Sequence, residues 1–189
     1  TDKQLLAVEM LESSRYFNRT CASVKEYITR GDKSGIITEI KKKSPALGAI
    51  NTGIQVEALA AAYTAAGASA LSVLTDQKFF GGCNSDLTAA RENTAIPILR
   101  KDFVIDAYQV YEAKSIGADV ILLIAAILTR NEIEQFAALA HQLGMEVILE
   151  LHAAQELEKI VDGIDVIGVN NRNLETMLID VDTSREMAK

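Results

Sequence analysis

One repeating unit restricts the fold of this chain more than any other feature of its sequence. Four stretches, residues 56–67, 107–117, 130–144 and 154–163, have apolar residues at helical spacing and end in a glycine. A glycine just past a helix end adopts the left-handed conformation without steric cost. Each glycine is followed by a nearly continuous apolar run, which is typical of parallel strands buried on both faces. The unit is therefore a helix, a glycine and a buried parallel strand.

With two further apolar stretches, the repeat predicts six strands alternating with helices, which is the pattern of βαβ units and a parallel sheet. An open sheet that binds nucleotides usually has a glycine-rich phosphate loop after its first strand. Here that strand continues into KKKSPALGAI, without GxGxxG or GxxxxGK[ST]. The sequence therefore predicts an α/β fold of the TIM (β/α)8 barrel type, represented by about six βα units. The predicted strands lie near 35–41, 68–74, 97–101, 119–124, 146–150 and 165–170.

The first thirty-three residues differ from the repeat, because two helical stretches, 2–14 and 21–30, precede the first strand. No linker or low-complexity segment divides the chain. We therefore expect one barrel domain over residues 1–189, with residues 1–33 as an N-terminal helical extension.

Charge and composition exclude several classes of function. The net charge of −7 disfavours nucleic acid as a partner. The longest apolar run, residues 120–128, is far shorter than the ~20 residues of a membrane helix, and the acidic N-terminal stretch is not a secretory signal. Cys21 and Cys83 form no CxxC motif, and two histidines give no zinc pattern. The sequence thus predicts a cytoplasmic protein without a metal site.

Polar residues follow the predicted strands, where a barrel builds its active site. Any one of them would be an ordinary strand end, but gathering unpaired charge at one place is costly and needs a reason. Lysines and carboxylates that compensate one another can supply general acid and base groups. The strand ends carry Glu39 and Lys41, then Arg100, Lys101 and Asp102, then Glu150, and finally Asn170, Asn171 and Arg172.

Three nearby polar residues are not interpreted as catalytic or substrate-binding groups. Lys42 and Lys43 follow Lys41 and are interpreted as solvated neighbours that do not point into the pocket. His152 follows the fifth strand and is interpreted as a supporting or surface residue.

Five stretches, specific in wording and order, resemble indole-3-glycerol phosphate synthase of tryptophan biosynthesis. They are residues 36–50, 70–82, 97–124, 146–152 and 167–176. The resemblance implies a (β/α)8 barrel with an N-terminal helical extension and a carboxy-lyase activity without metal or organic cofactor. The reaction closes the indole ring of 1-(2-carboxyphenylamino)-1-deoxyribulose 5-phosphate and releases carbon dioxide and water.

The resemblance also implies roles for individual residues. Lys101 matches the general acid of ring closure, and Glu150 the carboxylate implicated in dehydration. Lys41 is a candidate for contact with the substrate carboxylate or for acid catalysis, Glu39 orients the lysines, and Asn170 supplies a polar contact. The residues implied for substrate binding are Ser44 and Pro45 in a loop, Phe80, Phe103, Leu122 and Leu123 in an apolar slot, and Arg172.

The family's seventh and eighth strands, which hold the substrate phosphate, have no counterpart before Lys189. We therefore expect a shortened form or a part of a longer protein. A full barrel is expected to be a monomer, whereas six strands alone leave edges open to association. Two alternatives remain: an inactive partial barrel that serves folding or assembly, and a phosphoribosylanthranilate isomerase-like barrel. The second needs a Cys–Asp pair that Cys21 and Cys83 fit poorly.

Overall fold

The computed structural model describes residues 8–51, 53–172 and 178–188. Its strands are β1 (Ile37–Ile40), β2 (Lys43–Ser44), β3 (Gly48–Ala49), β4 (Ala70–Leu74), β5 (Ile98–Lys101), β6 (Val120–Ile124), β7 (Glu146–Leu151) and β8 (Val166–Val169). Six of them form one parallel sheet in the order β1-β4-β5-β6-β7-β8, which curls into part of a barrel. These are the six predicted strands. The hairpin β2–β3 was not predicted.

The helices alternate with the strands. They are α1 (Val8–Glu12), α2 (Val24–Thr29), α3 (Val56–Ala65), α4 (Gln77–Phe80), α5 (Asn84–Glu92), α6 (Ala107–Ile116), α7 (Arg130–Gln142) and α8 (Asp182–Met187). The predictions for 56–67, 107–117 and 130–144 are confirmed by α3, α6 and α7. The helical stretch predicted over 154–163 is instead a 3₁₀ helix, Ala154–Lys159, and α5 was not predicted. Both N-terminal stretches contain a helix, although residues 2–7 of the first lie outside the described residues.

Glycines set the helix ends as the repeat predicts. The four glycines that precede strands all have positive φ, between 74° and 101°; they are Gly67, Gly117, Gly144 and Gly163. At Gly117 there is also no space for a side chain. A Cβ there would lie 2.8 Å from the side chain of Arg91, so another residue would be both strained and crowded.

Apolar side chains form two layers, one on each face of the curled sheet. The outer layer, which includes Leu123 and Leu149, packs under the helices, whereas Leu122 and Ile148 belong to the inner layer. The separation follows from strand geometry, since successive side chains point to opposite faces. Both faces are buried, which explains why the strand sequences read as continuous apolar runs.

The N-terminal helical extension closes the amino-terminal end of the strands. Val24 of α2 is fully buried in the inner layer. Asp119, just before β6, has a side chain 0% exposed and forms ion pairs with Arg19 and Arg91, each at 2.6 Å. It also accepts a hydrogen bond from the backbone N–H of Ala22, at 2.8 Å. This end is therefore sealed, and the opposite end is open. Among the residues that the structure describes, no helix has the length and apolar character needed to cross a bilayer.

Candidate active site

A pocket opens where the parallel strands end at their carboxyl termini. Its volume is about 670 Å³, and an apolar recess of about 140 Å³ adjoins it. Of the residues predicted for catalysis and substrate binding, all but Leu123 line these two cavities. The pocket is lined by Glu39, Lys41, Ser44, Pro45, Phe80, Lys101, Phe103, Glu150, Asn170 and Arg172, and the recess by Leu122.

The centre of the pocket is an ion pair between Lys101 at the end of β5 and Glu150 in β7. The Nζ of Lys101 donates to Oε2 of Glu150 at 3.0 Å. The two side chains are 25% and 14% exposed, so the pair is largely removed from water. The structure thus brings together the predicted acid and the predicted carboxylate.

The other carboxylate oxygen of Glu150, Oε1, is contacted by two residues that directly follow β7 and β8. Asn170 Nδ2 donates to Oε1 at 3.2 Å, and His152 Nε2 lies 3.1 Å from the same oxygen. Burial acts to raise the pKa of Glu150, but the hydrogen bond from His152, the charge and hydrogen bond of Lys101 and the hydrogen bond from Asn170 outweigh it. The pKa falls to about 2, so Glu150 is ionised at neutral pH.

Glu39 and Lys41 at the end of β1 form a second ion pair, in which the Lys41 ammonium donates to the Glu39 carboxylate. Each lysine of the pocket thus has a carboxylate partner. Lys42 and Lys43 lie outside the pocket, as predicted, but they are not simply solvated. Lys42 Nζ lies 2.7 Å from a carboxylate oxygen of Asp86 in α5, and Lys43 Nζ donates to a backbone carbonyl.

The apolar recess is built from aromatic rings of two successive βα connections. Phe80, at the end of α4, and Phe103, after β5, have ring centroids 6.3 Å apart. Phe79 meets the edge of Phe103 at 5.9 Å and also lines the pocket, although it was not predicted to do so. Leu122 of β6 forms the floor. The recess can accept a flat apolar group.

Leu123 does not line the slot, so that prediction is wrong. It neighbours Leu122 in one strand, and the two side chains must point to opposite faces. Leu123 is fully buried in the outer layer beneath the helices. Arg100 is turned outward in the same way and binds Glu112 of α6 and Asp102. It joins β5 to its helix rather than serving the pocket.

Two loops complete the rim. Ser44 and Pro45 belong to the β2–β3 hairpin, where Ser44 Oγ accepts a hydrogen bond from the backbone N–H of Leu47 at 3.1 Å. On the opposite side, the backbone N–H of Arg172 donates to Oδ1 of Asn170 at 3.0 Å. This bond fixes the Asn170 amide with its NH₂ group toward Glu150.

The structure distinguishes between the two interpretations of His152, as a supporting residue or as a surface residue. His152 is not a surface residue, since its side chain is 9% exposed and contacts Glu150. The signal was present in the sequence, because His152 lies two residues after Glu150 and therefore on the same strand face.

Neither cysteine lines the pocket. Cys21 lies at the sealed end, where burial raises the pKa of its thiol and Lys114 contacts its sulfur. The described residues contain no group of three or more His, Cys, Asp or Glu side chains placed to hold a metal. The Cys–Asp pair of a phosphoribosylanthranilate isomerase-like site is therefore not formed around this pocket.

A parallel βα barrel with acid and base groups converging at the carboxyl ends of its strands is the architecture of a barrel enzyme. Residues 2–189 match the family model described as "Indole-3-glycerol phosphate synthase". The chain belongs to the indole-3-glycerol phosphate synthase family. Residues 173–176 of its last matching stretch lie outside the described residues.

Relatives that carry that name include proteins of three bacteria. The protein of Bacteroides thetaiotaomicron is 47% identical over 186 residues, which are 98% of this chain and 71% of that protein. That of Polynucleobacter asymbioticus is 45% identical over 163 residues (86% and 61%), and that of Neisseria meningitidis 51% over 148 residues (78% and 57%). The chain therefore spans between 57% and 71% of the length of these relatives.

Proposed function

We propose that this chain carries the ring-closing site of an indole-3-glycerol phosphate synthase. The substrate is 1-(2-carboxyphenylamino)-1-deoxyribulose 5-phosphate, and the products are indole-3-glycerol phosphate, carbon dioxide and water. The observation that carries the proposal is the Lys101–Glu150 ion pair beside an apolar recess, in a chain of this family. A flat aromatic ring and a reacting ketone need these two environments side by side.

Ring closure forms a bond between the carboxyl-bearing ring carbon and the ketone carbon of the sugar. Lys101 donates a proton to the ketone oxygen as that bond forms, because a positioned acid prevents charge from building on the oxygen. The ring carboxylate then leaves as carbon dioxide, and its bonding electrons restore the aromatic ring. Phe80, Phe103 and Leu122 hold the ring against the reacting carbon.

Dehydration follows, and Glu150 acts here. The new hydroxyl leaves as water with a second proton, and the adjacent carbon gives its proton to Glu150. Two protons reach the oxygen and one leaves carbon, so the reaction consumes one proton for each carbon dioxide released. Once Lys101 has given up its proton, the ion pair that lowers the pKa of Glu150 is lost, and Glu150 becomes a stronger base. Lys41, oriented by Glu39, supplies the second ammonium group, either to the substrate carboxylate or to the departing hydroxyl.

The remaining assignments rest on the family and on the pocket chemistry. Asn170 and Arg172 contact the substrate, and Ser44 and Pro45 cover it from the hairpin. The ligand is a small phosphorylated molecule, and the family supports the cytoplasmic location expected from the sequence.

A turnover assay tests the proposal. The substrate is given to this chain and to an extended chain, in which this chain is followed by the C-terminal portion of the Bacteroides thetaiotaomicron relative beyond the matched region. We expect the extended chain to form a fluorescent indole product and one carbon dioxide per turnover. Phosphoribosylanthranilate, given separately, should not react. A folded extended chain that leaves the first substrate unchanged, or isomerises the second, contradicts the proposal.

A further inference from the structure

His152 has contacts that packing alone does not explain. Its backbone N–H donates to Oε2 of Glu156 at 2.7 Å, which fixes the main chain just after β7. Its Nε2 lies 3.1 Å from Oε1 of Glu150, and its Nδ1 is buried with no hydrogen-bond partner within the described part of the chain. Burying an unpaired polar atom costs free energy, so a leucine of similar volume would serve packing better. The ring is therefore placed for its Nε2 atom.

Two neighbours of His152 Nε2, the Glu150 carboxylate and the Asn170 amide, bear on which ring nitrogen carries the hydrogen. The Asn170 amide is fixed by the hydrogen bond from the Arg172 N–H to its Oδ1, so its NH₂ group faces Glu150 and lies 3.1 Å from His152 Nε2. The carboxylate is an acceptor only. A bare Nε2 could accept from the Asn170 NH₂ group, but its lone pair would face the Glu150 carboxylate at 3.1 Å and the hydrogen on Nδ1 would be buried without an acceptor. A hydrogen on Nε2 avoids both costs, and the Nε2–H and the Asn170 NH₂ group then converge on Oε1.

We propose that His152 is a positioning residue, whose Nε2–H holds Oε1 of Glu150 so that Oε2 stays directed at Lys101. The effect on turnover rests on the proposed function, whereas the effect on Glu150 does not. Without this bond Glu150 can rotate away from Lys101 or take up a proton, and either change removes the ionised partner that the acid needs. The low pKa of Glu150 is consistent with this role.

The direct test is a titration of the Glu150 carboxyl in the 189-residue chain by ¹³C NMR, with the resonance assigned from Glu150→Gln. We expect His152→Leu to raise the measured pKa of Glu150 by about one unit or more, as for loss of a hydrogen bond to the charged form. His152→Gln can place an amide N–H near the position of Nε2 and should keep most of the low pKa. The matched control is His141→Leu, since His141 binds Asp165 at the sealed end and should not affect Glu150.

A second measurement needs no variant. The ¹⁵N shifts of the His152 ring in the wild-type chain should show Nε2 protonated and Nδ1 bare at neutral pH. A ring protonated only at Nδ1 overturns the proposal, as does a Glu150 titration that His152→Leu leaves unchanged or that His152→Gln shifts equally.

Turnover separates this inference from the proposed function. In the extended chain, His152→Leu should move the acidic limb of the kcat profile to higher pH, and His152→Gln should return it toward the wild-type position. An acidic limb unmoved by His152→Leu contradicts the inference. A wild-type extended chain without turnover counts against the proposed function, and the carboxyl titration still decides the role of His152.

Discussion

Lys101 Nζ and Glu150 Oε2 lie 3.0 Å apart, although 49 residues separate them and β6 lies between their strands. The curl of the sheet brings the two side chains across the intervening strand. A lysine and a carboxylate that are both largely buried stabilise each other, and each would be costly alone. Charged groups of a bound substrate can therefore take the place of the contact between Lys101 and Glu150.

The pH dependence of stability should report the environment of Glu150. Its pKa is about 2 in the folded chain against an ordinary 4.5. Because the folded-state pKa is the lower one, this contribution is complete above about pH 4.5 and is lost as the pH falls through about 2, a total of about 3 kcal/mol. Urea unfolding at several pH values should show a steeper loss for the wild type than for Glu150→Gln over this window. Parallel curves for the two proteins would contradict the assigned environment.

Phe103→Ala should weaken the binding of anthranilate, which stands in for the ring of the substrate. Losing one ring contact of the recess costs about 0.5–1.5 kcal/mol, or roughly 2- to 10-fold in affinity. The readout is the anthranilate concentration that protects the chain against thermal unfolding. Phe17→Ala is the matched control, because its ring stacks on Tyr111 outside the pocket. Equal protection of the Phe103 variant and the wild type would show that the recess does not hold the ring.

Asp119→Ala should destabilise the extension and the barrel together. The change leaves Arg91 buried without its carboxylate and removes the bond to the Ala22 N–H, at an expected cost of about 3–5 kcal/mol. Asp32→Ala breaks an exposed pair with Arg30 and should change little.

Urea unfolding measures these changes in stability, and it also tests whether the extension and the barrel form one domain. Urea unfolding followed by far-UV circular dichroism and by tyrosine fluorescence should give coincident single transitions, because two of the five tyrosines lie in the extension and three in the barrel. Separate transitions would show that residues 1–33 fold independently of the barrel.

The strands were predictable because their signal is local and strong. Four of the six are apolar runs that follow a glycine, and all six were found. The continuous apolar character of the strands does not indicate which side chains face the pocket. In VILLI every position is apolar because both faces are buried, so nothing in the run separates Leu122 from Leu123. Glu150 and His152 are two residues apart, which places both side chains on the same strand face. This spacing identifies the imidazole ring of His152 as part of the site.

The elements that were missed or altered depend on contacts from distant residues. The 3₁₀ helix Ala154–Lys159 ends where Arg130 of α7 donates to the carbonyl of Ile160 at 2.9 Å, a contact that no local pattern contains. Helix α5 is mostly polar, and its buried face includes Arg91, whose partner Asp119 precedes β6. Arg100 stands among the polar residues at the end of β5, but its partner Glu112 lies 12 residues later in α6 and holds it on the outer side of the sheet.

The most direct test of the account is kcat of the extended chain with Lys101→Ala. Loss of a positioned proton donor should lower kcat by roughly 10²-fold or more. Lys25→Ala is the matched control, since Lys25 lies on α2 at the sealed end and pairs with Asp165. Its kcat should equal that of the wild type. A Lys101→Ala enzyme that remains folded and keeps a near-normal kcat would contradict the assignment of Lys101 as the acid of ring closure.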